Sequence, residues 1–120
     1  MPQYLLSVYH GLGAQDDPLG TYETAEDRDA ALARVSQFNQ QLMDEGRFVF
    51  ACGLTDPNTS ITVHADGKPR SAQAPLPEAD VFISGFWVVE ADDLSAAEQV
   101  GLEASEACGQ RVEVRQLQEG

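Results

Sequence analysis

The chain has 120 residues, of which 42% are hydrophobic, and its 20 acidic residues outnumber the 7 basic ones to leave a net charge of -13. That length predicts a single domain, residues 1–120, with a modest core. The charge repels phosphate backbones and anionic bilayers, which argues against nucleic acid and membrane as direct partners. Apolar runs fall far short of the ~20 residues of a membrane span, and the opening MPQYLLSVYH lacks the basic head of a signal peptide. A cytoplasmic protein is the expectation.

The first strand is predicted over residues 4–9, an apolar run with two tyrosines that Gly11 and Gly13 stop. After the loop GLGAQDDPLGTYE, Thr24 can cap a helix over about 25–45, with Glu26 and Asp27 in its first turn, where acids are favoured. Leu32, Val35, Phe38 and Leu42 supply its apolar stripe, and Gly46 ends it. Residues 48–52 read as the second strand. In ITVHADGKPRSA, Asp66-Gly67 separates two short extended segments and predicts a hairpin. Residues 82–90 read as a third strand. Asp92 or Asp93 then caps a second helix with Leu94, Ala97, Gly101, Ala104 and Cys108 facing inward and Gly109 at its end, and residues 111–117 form the last strand.

The order strand, helix, strand, hairpin, strand, helix, strand is that of an α+β chain of the ferredoxin-like, split βαβ kind: an antiparallel sheet with two helices on one face and an inserted β-hairpin. In the third strand Phe86 and Val88 point one way, Trp87 and Val89 the other. Two helices cannot cover both faces, and each large side chain left in water forfeits roughly 1.5–3 kcal/mol. A homodimer packed sheet against sheet, with Phe86 or Trp87 in the seam, resolves this.

YLLSVYHG, FNQQLMDEG, TVHADGKP and the path from APLPE through GFWVVEADDLSAAEQ to VEVRQL occur here in an order that, along nearly the whole chain, resembles the YCII-related, or DGPF-domain, family of the dimeric α/β-barrel group. The resemblance implies a ferredoxin-like subunit, a homodimer, and a cleft between helices and hairpin as candidate active site. Aligned on Gly85-Phe86-Trp87, the family's Asp-Gly-Pro-Phe signature falls on Gln73, Ala74, Pro75 and Leu76, so only the proline is kept. The family's aspartate is its candidate acid or base, and Gln73 cannot titrate. Many relatives carry a histidine one turn before the position of Phe38, where this chain has Val35.

The remaining candidates come from the residues themselves. His10 ends the first strand and is the best titratable group, with Asp16, Asp17 or Tyr22 available to orient it. As ligand-binding residues the sequence offers His10, Tyr22, Gln73 and Pro75. His64 lies in the hairpin among polar neighbours, and Asp16 and Asp17 match no defined metal spacing, so neither a metal nor a cofactor is expected. Cys52 and Cys108 make no metal motif and, in the cytoplasm, no disulfide; both read as small buried residues. Three functions fit. The favoured one is a non-catalytic or degenerate family member that binds a small ligand or a protein partner, in the regulatory setting that relatives' links to alternative sigma factors imply. The second, implied by the resemblance because similar dimeric barrels include isomerases and dehalogenases, is an enzyme acting on a small organic acid or lactone with His10 as acid or base. The third is a structural dimerisation module.

Overall fold

The computed structural model describes residues 1–66 and 73–119. Strand β1 spans Gln3–Gly11, helix α1 Ala25–Asp44, β2 Phe48–Gly53, β3 Val81–Glu90, α2 Leu94–Cys108 and β4 Val112–Gln116, with short 3-10 turns at Ala14–Asp16 and Pro57–Thr59. The sheet has the order β2-β3-β1-β4 and every neighbouring pair is antiparallel, the ferredoxin-like arrangement. The expected Asp66-Gly67 hairpin lies partly outside the described residues; no strand is present over 61–66, and Ala74 N donates to Ser60 O across the base of the insertion.

Both helices begin and end where side-chain chemistry places them. Thr24 Oγ1 accepts from Asp27 N, and Gly46, just past α1, has φ +71. Asp93, rather than Asp92, caps α2 by accepting from Ala96 N, and Gly109 closes it at φ +72. Burial divides the sheet into two faces. Tyr4, Leu6, Val8, Trp87 and Val89 form one core cluster with Phe38 and Leu42 of α1 and Ala97, Val100 and Ala104 of α2, so both helices cover the same face.

Three burial expectations are corrected. Leu32 is 61% exposed, and the α1 stripe runs through Ala31 instead. A helix turns about 100° per residue, so one position moves a side chain onto the flank. The small Ala31 suits close approach to α2, whose inner face is Ala97, Gly101 and Ala104. Leu94 is 59% exposed at the first position of α2, ahead of the covered part of the helix. Cys108 is buried, but Cys52 is exposed because β2 is an edge strand and Cys52, paired with Phe86, lies on its helix-free side.

The helix-free face carries Leu5, Phe86, Val88 and, beyond a bulge, Val81 and Ile83, joined by Phe50 of β2. Phe50 is 53% exposed and its ring packs 5.9 Å from that of Phe86. Of the two candidates for a sheet-to-sheet seam, Phe86 is the one on this side. Trp87 is corrected: it is buried under α1, its ring edge-on to Phe38 at 5.6 Å, since alternate residues of a strand face opposite ways.

A candidate ligand cleft beneath the first helix

Between α1 and the sheet lies a cavity of about 270 Å³ bordered by Val8, Val35, Asn39, Ala51, Gly85 and Trp87, together with Cys52, Gly53 and Phe86. Strands β1, β2 and β3 contribute mainly through helix-side residues: the pairing sets Ala51 opposite Trp87, Gly53 opposite Gly85, and Gly85 opposite Val8. Glycine lets β2 approach closely at the floor. A Cβ on Gly85 would come to 3.1 Å from Cys52 O and 3.3 Å from Gly53 Cα, both backbone atoms, so the β2 backbone would have to give by a few tenths of an ångström. Overhead, Val35 and Asn39 are one turn apart on α1 and project together onto the sheet.

The polar group in this wall is held in place. Trp87 Nε1 donates a 2.7 Å hydrogen bond to Asn39 Oδ1, tying the middle of β3 to α1. Among the described residues no lysine, arginine, histidine or carboxylate borders the cleft.

His10 lies one strand repeat beyond Val8, at the end of β1. The register shifts between Val8 and Tyr9, where β3 accommodates Ser84 as an extra residue. Ser84 Oγ is 3.4 Å from His10 Nε2 and donates to Val8 O at 3.4 Å, while the imidazole meets the Phe82 ring edge-on at 5.6 Å. Burial lowers the imidazole's pKa below its ordinary 6.5 and favours the neutral ring.

The groups expected to orient His10 are engaged elsewhere. Asp16 Oδ1 accepts from Asn58 Nδ2, Asp17 Oδ1 accepts from Leu19 N, and the Tyr22 hydroxyl donates to Cys108 O. Nor are the other sequence candidates gathered at one place. Tyr22 borders a cavity at the C-terminal end of α2, whereas Pro75 lines a groove of about 700 Å³ with Tyr9, Ile61, Leu76 and Ile83. Gln73 and His64 are exposed. Among the described residues no group of three metal-ligating side chains comes together, and no helix is long and apolar enough to cross a membrane.

Asn39 and Ser84 were not singled out from the sequence. The helical spacing held a signal for the first: Asn39 is four residues after Val35 and one after Phe38, an amide on an otherwise apolar stripe. Ser84 could not be found that way, because a bulge is invisible to a period of two.

The geometry stands beside a sequence match: the YCII-related domain matches residues 4–118 of the 120-residue chain. The chain belongs to the YCII-related domain family. In this YCII-related chain Val35, where the resemblance places a histidine in many relatives, borders the cleft directly. No curated protein matches the chain significantly.

Proposed function

We propose that this YCII-related protein is a cytoplasmic homodimer that binds a small, largely apolar molecule in the cleft beneath α1, in a regulatory rather than a catalytic role. The observation that carries this reading is the cleft wall itself. Val35 fills the histidine position, Gln73 replaces the signature aspartate and is exposed, and among the described residues no histidine, lysine, arginine or carboxylate borders the cavity. A cavity of about 270 Å³ suits a ring-sized molecule, and apolar walls with one placed polar group are the ordinary make-up of a ligand site. The dimer reading rests on the exposed apolar side chains of the helix-free face, Phe50, Val81 and Ile83, which a second copy would cover.

The test uses Trp87, the sole tryptophan of the chain, as an internal reporter. Small cyclic hydrocarbons and ketones are titrated while its emission is followed. Saturable changes support the binding reading; no saturation by any of them, up to their solubility, contradicts it.

A second reading has an observation of its own. His10 is half-buried, kept neutral by burial and close to the Ser84 hydroxyl, which are the attributes of a general base. If the protein turns over small lactones or organic acids, His10→Ala abolishes turnover while leaving the fold intact, and the catalytic reading replaces the binding one.

A further inference from the structure

Taking the cleft as a binding site, we infer that its ligand is a small neutral carbonyl compound, a ketone, ester or lactone, whose oxygen is held by the side-chain amide of Asn39. The indole nitrogen of Trp87 is a donor and never an acceptor, so its 2.7 Å bond to Asn39 settles which way the amide faces. Oδ1 is turned to the indole and Nδ2 is turned away from it. That Nδ2 has no hydrogen-bond partner among the described residues, although Asn39 is half-buried and borders the cavity. No fully buried side-chain nitrogen or oxygen among the described residues lacks a partner, so Nδ2 is open to the cleft and its solvent, and a ligand's acceptor oxygen would take the place of water on it.

The charge of that oxygen follows from the rest of the wall. A carboxylate entering the cleft would give up its hydration to Val8, Val35, Ala51 and the indole, with no lysine or arginine among the described residues of the wall to pair with and a chain of net charge -13 around it. A neutral carbonyl loses far less on entry and accepts the same bond. The Trp87 bond also immobilises the amide beforehand, so little orientational freedom is lost when the ligand binds.

Three probes of nearly one shape separate the outcomes: cyclohexanone, methylenecyclohexane, which lacks the oxygen, and cyclohexanecarboxylate. Each is titrated against Trp87 emission in the wild-type protein and in Asn39→Asp, which keeps an acceptor for the indole but removes the amide donors. Cyclohexanone is expected to bind the wild type roughly three- to tenfold more tightly than methylenecyclohexane, the worth of one hydrogen bond, and to lose that advantage in Asn39→Asp. The carboxylate is expected to bind most weakly. Equal binding of ketone and hydrocarbon, or preference for the carboxylate, overturns the inference while leaving the cleft a binding site. Failure of all three probes overturns the binding reading beneath it. A measurement on the wild type alone guards against misfolding of the variant: cyclohexanone, and not methylenecyclohexane, must shift the Asn39 side-chain amide resonances, and unshifted resonances at saturation contradict the inference.

Discussion

The Tyr22 hydroxyl donates a 2.6 Å hydrogen bond to the main-chain carbonyl of Cys108, 86 residues away, and so ties the loop after β1 to the last turn of α2. The final carbonyls of a helix have no partner within it, and Tyr22 supplies one from outside. Arg34 does the same from α1, its Nε donating to Ala107 O at 3.1 Å. These contacts make Tyr22 a clasp on the helix end. Tyr22→Phe is expected to cost about 1 kcal/mol in urea unfolding, the worth of one part-buried hydrogen bond, and to leave probe binding at Trp87 unchanged. Loss of binding without loss of stability would return Tyr22 to the ligand site.

Close approach of α2 to β4 gives a second prediction. A Cβ added at Gly101 would lie 2.5 Å from Val114 Cγ2, and Val114 is a β-branched residue in the strand opposite Leu6 with little freedom to turn. In an open helix Gly→Ala gains up to about 1 kcal/mol; here overpacking reverses the sign, and Gly101→Ala is expected to destabilise by about 1–3 kcal/mol. Adding Val114→Ala should recover part of that loss, seen as a favourable coupling in a double-mutant cycle.

His10 gives the protein a pH response. Its folded-state pKa is depressed below the ordinary 6.5, so the unfolded chain takes up a proton first as pH falls. The neutral ring's full contribution is therefore present above 6.5 and declines as pH drops from there toward the folded value. His10→Gln is expected to flatten the stability-pH curve in this window. An unchanged curve would show that the ring is as solvated folded as unfolded.

Much of the fold was legible from local chemistry. Thr24, Gly46 and Gly109 marked helix limits because caps and positive φ are properties of single residues. The alternation of Phe86 and Trp87 predicted two apolar faces, but not which face each residue joined, since that depends on the side the helices take. The candidate site was less legible. The resemblance drew attention to Val35, which does border the cleft, and to Gln73, which is exposed. Asn39 acquires its meaning only through Trp87, 48 residues later, and neither residue type signals the pairing alone.

The helix-free face gives a prediction on assembly. Phe50 is 53% exposed in the single chain, so a charge there costs the subunit little, yet between two sheets it would be buried without a partner. In sedimentation the wild-type protein is expected at twice the 13.0 kDa of the chain, and Phe50→Asp as a folded monomer. A wild-type monomer at micromolar concentration would refute the dimer.

The central claim, that the space beneath α1 is a binding site, is tested most directly by filling it. Val35 borders the cavity, and Val35→Phe places a ring where a ligand would go. Cyclohexanone is titrated against Trp87 emission in the wild type and in this variant, with thermal unfolding confirming that both are folded. The account predicts a saturable change in the wild type and at least roughly tenfold weaker binding in Val35→Phe, because the buried contact area is lost. Saturation of both proteins at the same concentration would place the ligand elsewhere and contradict the account.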